Sequence, residues 1–213
     1  MNILIIAPHP DDEVLGMGAT IKKLSRKNNI SLLVVSEGAS SQYNDKKMIA
    51  TRHNSCLKSS KYLGIKNITF LDYPDMKLDT IPHVELNKKI EKIITKLKPK
   101  IIYSPPENDL NLDHQKVFNS ILVATRPHTS TVESVYCYEL PGLIKKPFEP
   151  NVYVNIEKEF ESKIKSFKFY KSEVMNFPHP RSVKAIENLA IQRGIESGLK
   201  MAESFHLVKS IQK

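Results

Sequence analysis

The chain has 213 residues, of which 40% are apolar and 26% charged, a composition typical of one globular domain that buries roughly 70% of its unfolded surface. It contains no run of about 18 apolar residues, and its apolar N-terminal run lacks a basic flank and ends at Pro8, so we expect no stable membrane insertion and no signal peptide. The formal net charge of +9 suits an anionic ligand, but the lysines are spread along amphipathic helices without a dense basic block, which argues against nucleic-acid binding.

Apolar strand-like runs alternate with helical patterns over the first two thirds of the chain. Strands are predicted at residues 2–6, 30–35, 67–71 and 100–104, and helices at residues 14–24, 45–63, 82–97 and 113–124. This alternation predicts a parallel sheet with helices on both faces.

The last third follows a different pattern. Strands are predicted at residues 134–140 and 152–156, and two closing helices at about 157–175 and 182–205. The chain shows no repeat, low-complexity tract or linker, so we predict a single doubly wound, Rossmann-like α/β domain over residues 1–213.

The two cysteines, Cys56 and Cys137, are far apart and form no Cys-x-x-Cys pair. They are predicted to be free, buried thiols rather than a disulfide or sulfur ligands of a metal. Free thiols suit a reducing compartment, so we expect a cytoplasmic protein.

One imidazole and three carboxylates are concentrated in the turn between the first strand and the first helix, namely His9, Asp11, Asp12 and Glu13. In open α/β sheets this turn, at the carboxyl end of a strand, is where ligands bind. Neighbouring carboxylates repel one another, and a cation offsets that repulsion. The turn therefore predicts a divalent metal site.

The loop after the fourth predicted strand reaches the same edge of the sheet and carries His114. His9, Asp12 and His114 then form a set of two imidazoles and one carboxylate, which with a water in the fourth position is typical of catalytic zinc. Asp11 is placed to take a proton from that water, so the set predicts hydrolysis of an amide or an ester.

Structural alternatives exist for each of these residues. Asp11 or Asp12 can cap the first helix, and His9 can be an ordinary turn residue, because a His-x-x-Asp spacing has little specificity by itself. Arg52 can be a surface residue of its helix. The first turn lacks Gly-x-Gly-x-x-Gly, and its carboxylates would repel a pyrophosphate, which argues against a dinucleotide-binding oxidoreductase.

The longer string Pro8-His9-Pro10-Asp11-Asp12-Glu13 after a first strand resembles the signature of the PIG-L/LmbE-like zinc deacetylases. Further similar segments are Thr51-Arg52, 62–65, 70–75, 109–114, 189–194, Gly198 and 202–205. The resemblance covers nearly the whole chain. It implies an LmbE-like fold and removal of the acetyl group from an N-acetylglucosamine-type sugar.

Carried over by position, the resemblance implies that His9, Asp12 and His114 bind Zn²⁺, with another divalent metal as an alternative. It also implies that Asp11 is the general base and that Arg52 contacts substrate hydroxyls or a phosphate. It further implies a homo-oligomer. The basic charge favours an acetamido sugar that is linked to a nucleotide or a phosphate.

Asn111 departs from the pattern of many family members, which carry a second histidine at this position. Asparagine can donate a hydrogen bond to an oxyanion, but it does not supply a proton at neutral pH. Asp113 is expected to orient Asn111 or a metal ligand, or else to cap the following helix. An Asp-x-Asn-x-Asp-His motif resembles one branch of the family.

That branch also carries the segment Pro178-His179-Pro180-Arg181-Ser182. We expect this turn to fold over the metal edge, with His179 as an acid and Arg181 as an anion clamp; the alternative is a plain turn between two helices. An amidase for a non-sugar amide and a non-catalytic metal-binding module remain alternatives to the deacetylase.

Overall fold

The computed structural model describes residues 1–43, 45–142 and 145–212. Within these residues, one sheet has the strand order β3-β2-β1-β4-β5-β7-β6. Its strands are β1 (Asn2–Ala7), β2 (Asn29–Ser36), β3 (Asn67–Tyr73), β4 (Ile101–Ser104), β5 (Ser134–Tyr138), β6 (Val152–Asn155) and β7 (Ala202–Ser210).

Strands β1 to β5 pair in parallel, whereas β7 is antiparallel to both of its neighbours. β1 and β2 are buried beyond their first residues, which explains their almost continuous apolar sequences. The strand order reverses between β1 and β4, so their carboxyl ends flank the topological switch point where ligands bind in open α/β sheets. The predicted doubly wound, mostly parallel α/β architecture is confirmed.

Helices cover both faces of the sheet. They are α1 (Asp12–Leu24), α2 (Lys47–Leu63), α3 (His83–Leu97), α4 (Leu112–Ala124), α5 (Phe160–Phe167) and α6 (Val183–Ser197). The apolar sides of α1, α2, α5 and α6 join one core cluster, and those of α3 and α4 join a second on the opposite face. Among the described residues, no helix combines the length and apolarity needed to cross a membrane.

The prediction for the C-terminal third is wrong in two places. The helix predicted at 182–205 ends at Ser197, because Gly198 adopts a left-handed conformation (φ 70°) that closes its last turn. The chain then forms β7, which inserts between β5 and β6. The helix predicted at 157–175 is also shorter, since α5 ends at Phe167 and an irregular segment follows.

Helix α1 is kinked at Met17, whose φ and ψ angles are −149° and 26°. The neighbouring Gly16 packs against the Tyr138 ring so closely that an added Cβ would lie 2.4 Å from Cδ2 of Tyr138. The absence of a side chain at Gly16 therefore allows the start of α1 to lie directly against β5.

The part of α1 beyond the kink has its own cap. The Glu203 carboxylate of β7 accepts hydrogen bonds from the backbone N–H groups of Ala19 (3.1 Å) and Thr20 (2.7 Å). Lys163 balances this buried charge through an Nζ–Oε1 contact of 2.7 Å. The kink and its cap thus fix the direction in which the first turn of α1 presents its acidic residues.

Candidate metal centre

Three donor atoms from three parts of the fold meet at the switch point. His9 follows β1, Asp12 begins α1, and His114 lies in the first turn of α4. His9 Nδ1 lies 3.1 Å from His114 Nε2 and 3.3 Å from Asp12 Oδ2, and the latter two atoms are 3.4 Å apart. All three residues are buried and line a cavity of about 170 Å³.

The donor set fits a metal ion. A tetrahedral ion with ligand distances of about 2.0–2.1 Å has ligand–ligand edges of about 3.3–3.4 Å, close to the spacings of these three atoms. Two nitrogens and one carboxylate oxygen use three positions, and the adjoining cavity leaves the fourth open. An open position is typical of a catalytic metal site.

Each clustered histidine has a carboxylate on its other ring nitrogen. Asp113 Oδ2 lies 3.0 Å from His9 Nε2, and Asp109 Oδ2 lies 2.8 Å from His114 Nδ1. In the neutral form of each ring, such contacts hold the proton on the outer nitrogen and leave His9 Nδ1 and His114 Nε2 available to a metal. The ligand set and its orienting groups are therefore both present.

Asp113 is itself held by backbone donors. Its carboxylate accepts from the N–H groups of Met76 (3.0 Å) and Leu78 (2.9 Å). The cap of α4 is Asn111 instead, whose Oδ1 accepts from the Asp113 N–H at 2.9 Å. Of the roles expected for Asp113, its contacts fit the orientation of His9. Asp113 does not cap α4, because Asn111 does.

Asp75, which follows β3, adds a third carboxylate near His9. Its Oδ1 lies 3.2 Å from His9 Nε2, so His9, Asp75 and Asp113 form a second group with metal-ligand spacing. Asp75 and Asp113 do not line the cavity described above, and Asp113 is occupied by two backbone donors. We therefore assign this second group to support of His9.

The charges around His9 favour a cation. Burial acts to lower the pKa of His9, but the Asp113 and Asp12 carboxylates outweigh it and raise that pKa to about 10. The same carboxylates stabilise a metal ion in the position that faces Nδ1.

Asp11 is completely buried and is not among the described residues that line the cavity, and its backbone is in an unusual conformation (φ 129°). Neither carboxylate oxygen has a hydrogen-bond partner in the described structure. Arg52 Nη2 lies 3.5 Å from Oδ1, and Arg181 Nη1 lies 3.7 Å from Oδ2. Burial raises the pKa of Asp11 above its usual range, against the opposing effect of the two guanidinium groups.

The structure places Arg52 in the interior, and its expected contact with substrate stays a prediction. Arg52 is only 3% exposed and is not among the described residues that line the cavity. Its Nη2 donates to the backbone oxygen of Pro10 at 2.8 Å, and its Nη1 pairs with Glu173. Arg52 is therefore a buried residue that donates a hydrogen bond to the turn carrying Asp11, and carboxylates of the protein itself compensate its positive charge.

Two of the other predicted residues do reach the cavity. Arg181 and Asn111 are among its lining residues. His179 is exposed, accepts a hydrogen bond from the Arg181 N–H through Nδ1 (3.1 Å), and does not line the cavity in the described structure. His179 thus lies outside the described cavity lining, and its expected acid role stays a prediction.

Sequence reasoning assigned no role to Tyr170 or Glu173. Tyr170 donates its hydroxyl to Glu13 Oε1 (2.6 Å), and Glu13 Oε2 accepts from the Asp11 N–H (3.1 Å). Both residues lie between α5 and α6, in a stretch that the sequence predicts as part of a helix, and no motif marks them. The sequence did indicate the two carboxylates that contact the histidine rings, Asp75 beside His9 and Asp109 beside His114. Both residues follow strands, β3 and β4, at the same edge of the sheet as His9.

A larger cavity of about 460 Å³ lies elsewhere, with Glu107, Asn108 and Phe148 among its lining residues. None of the three clustered donor residues lines it. The chemistry of the donor set, and not cavity size, therefore locates the candidate site.

Known proteins are similar to this chain in sequence and in fold. The chain is 29% identical over 181 residues to the uncharacterized deacetylase YaiS of Escherichia coli K12, covering 80% of this chain and 91% of that protein. It is 24% identical to the diacetylchitobiose deacetylase of Thermococcus kodakarensis, over 99% of this chain and 84% of that protein.

The solved structure of the N,N'-diacetylchitobiose deacetylase from Pyrococcus horikoshii superimposes with a TM-score of 0.82 and 24% identity, covering 98% of this chain and 84% of that chain. At this identity the likeness shows the fold alone. Residues 4–125, more than half of the chain, match the profile of the PIG-L family, described as GlcNAc-PI de-N-acetylase. The chain therefore belongs to the PIG-L family.

Proposed function

We propose that this protein is a zinc-dependent N-deacetylase that releases acetate from an acetamido sugar. The observation that carries the proposal is the His9–Asp12–His114 cluster, which has three donors, an outer carboxylate on each histidine and an open side on a cavity. Membership of the PIG-L family and the similarity to sugar deacetylases support the substrate class.

Zinc, when bound by these three residues, supplies a Lewis acid that polarises the amide carbonyl and lowers the pKa of water. The residues of the chain supply the proton transfers. We assign Asp11 as the general base, because its carboxylate is adjacent in sequence to Asp12 and both of its oxygens are free of hydrogen bonds.

The reaction adds water across the amide bond. Asp11 takes one proton from a water molecule while the oxygen of that water bonds to the carbonyl carbon of the amide. Asp11 then gives the proton to the amide nitrogen as the C–N bond breaks. The products are acetic acid and an amine, which at neutral pH become acetate and an ammonium group. We assign Asn111, which lines the cavity, as a donor to the carbonyl oxygen as that oxygen gains negative charge. This role requires Asn111 Nδ2 to exchange its 3.4 Å contact with Met76 Sδ for the substrate oxygen.

Arg181 lines the described cavity, and its guanidinium pairs with Glu173 while 30% of its side chain stays exposed. The exposed part of this guanidinium and the net charge of +9 favour a substrate that carries an anionic group, so we propose a phosphate- or nucleotide-linked acetamido sugar as the preferred form. We also propose a cytoplasmic location, supported by two free, buried thiols, and a homo-oligomer, as the family resemblance implies; sedimentation velocity tests the assembly.

The test is release of primary amine from N-acetylated amino sugars, free, phosphorylated and nucleotide-linked, with a non-sugar acetamide for comparison. We expect zinc-loaded protein to release amine from the sugars, with loss of activity on chelation. Release only from the non-sugar acetamide would replace the sugar assignment by an amidase. Absence of turnover would favour a non-catalytic metal-binding protein.

Substitution of Asp11 tests its assignment as the general base. We expect Asp11→Asn to lower kcat by about 10²- to 10³-fold while zinc content is unchanged, because the carboxylate is lost but the three donors remain. Asp79→Asn, an exposed acidic residue, is the control and keeps the wild-type rate. A rate near wild type in Asp11→Asn would contradict the role of Asp11.

A further inference from the structure

Four charged side chains form a closed ring beside the metal centre. Asp11, Arg52, Glu173 and Arg181 alternate in charge, so the ring is neutral when all four are ionised. Glu173 is 1% exposed and uses a different carboxylate oxygen for each guanidinium, Oε1 for Arg52 and Oε2 for Arg181.

The two carboxylates of the ring are not equivalent. Glu173 is in direct contact with both guanidinium groups and also accepts from Ser172 Oγ at 2.8 Å. The distances from Asp11 to the same two arginines are 3.5 Å and 3.7 Å, too long for hydrogen bonds. Asp11 therefore receives the electrostatic field of two cations while its oxygens stay free of donors.

We propose that Glu173 is a positioning residue, which holds the guanidinium groups of Arg52 and Arg181 and thereby keeps the Asp11 carboxylate free to accept a proton. This inference rests on the proposed role of Asp11 as the base. Glu173 lies outside residues 4–125, the part that matches the family profile, so the profile does not include it.

The physical reason is competition for donors. Charge-assisted hydrogen bonds between guanidinium and carboxylate are short and strong, and Arg181, whose side chain is 30% exposed, has room to move. Without the negative charge of Glu173, two cations would face the single Asp11 carboxylate. They would close on its oxygens and occupy the lone pairs that a general base needs.

The test uses Glu173→Gln, which removes the charge but keeps the shape. With an uncharged acetamido sugar as substrate, which has no anionic group for Arg181, we expect kcat to fall by about tenfold or more, with KM and zinc content within about twofold of wild type. Glu173→Asp keeps the charge, and we expect it to retain at least about a third of the wild-type kcat. Glu187→Gln, in an exposed ion pair of α6, is the matched control with wild-type kinetics.

A double-mutant cycle with Asp11 distinguishes a positioning role of Glu173 from a general structural effect. In an Asp11→Asn background, Glu173→Gln is expected to change the residual kcat by less than about twofold, because the group on which it acts is already absent. A second readout is a crystal structure of Glu173→Gln, in which we expect guanidinium nitrogens within about 3.2 Å of the Asp11 oxygens.

Three results would overturn the inference: an unchanged kcat in Glu173→Gln, a rise in KM alone, or full additivity with Asp11→Asn. A rise in KM alone would mean that Glu173 serves substrate binding through Arg181. A near-wild-type rate in Asp11→Asn would instead refute the base assignment, so failure of the proposed function is recognisable separately.

Discussion

At the scale of single residues, the metal centre depends on which ring nitrogen of each histidine carries the proton. His114 directs Nδ1 at Asp109 (2.8 Å) and His9 directs Nε2 at Asp113 (3.0 Å), so opposite nitrogens of the two rings face the cluster. Both outer carboxylates come from the loop and first turn after β4. One short segment thus supplies a donor, His114, and the groups that orient both histidines.

Asp109→Asn tests this arrangement. We expect zinc affinity to fall by about 10- to 100-fold, because the amide no longer supplies the charge that fixes the His114 tautomer. Competition against a chromophoric chelator measures the affinity, and Asp79→Asn is again the exposed control. Equal affinities of Asp109→Asn and wild type would show that Asp109 has no orienting role.

At the scale of elements, the kink in α1 couples the core to the site. The turn that begins α1 carries Asp11, Asp12 and Glu13, and its direction depends on close packing of Gly16 against Tyr138. The Tyr138 hydroxyl donates to the Ile6 backbone oxygen at 3.0 Å, so the ring cannot move away without breaking that bond. A side chain at position 16 therefore has no space.

We expect Gly16→Ala to lower the free energy of unfolding by about 1–3 kcal/mol, since the new methyl overlaps the Tyr138 ring. Urea denaturation measures the change. Gly18→Ala, in the same helix, is the comparison variant; its Cβ would lie 2.9 Å from Val14 Cγ2 and 3.1 Å from Lys163 Cγ, a milder overlap than at Gly16, so we expect a smaller cost. If the two variants were equally stable, the packing of Gly16 would not be the constraint.

At the scale of the whole molecule, the candidate metal site joins segments that are distant in sequence. His9 and Asp12 belong to the β1–α1 turn, and His114 lies 105 residues from His9. A ligand that binds only the folded state raises stability by mass action, by about 2.7 kcal/mol at a free concentration 100 times its Kd.

Zinc is therefore expected to raise the unfolding temperature of the apoprotein by roughly 5–10 °C, and EDTA to reverse the shift. Differential scanning calorimetry measures the effect. The same titration of His114→Ala should give little or no shift, because one of the three donors is lost. A full shift in that variant would place the stabilising zinc at a different site.

Local sequence determined much of this protein. Apolar runs and helical periodicity predicted the first four strands and helices, and Pro8 to Glu13 marked the metal turn, because these signals lie within a few neighbouring residues. The topology that follows from them placed His114 beside His9. Both cysteines are free and buried, as predicted from their number and spacing.

Only the tertiary structure decided the rest. Residues 202–210 form a strand because Gly198 ends α6 and the chain then pairs with both β5 and β6. No local sequence pattern predicts this long-range pairing. Burial of Arg52, the exposed position of His179 and the contacts of Glu173 depend on how the α5–α6 segment packs over the sheet edge. Contacts between segments about 100 residues apart depend on tertiary packing, whereas sequence periodicity indicates only the local structure of neighbouring residues.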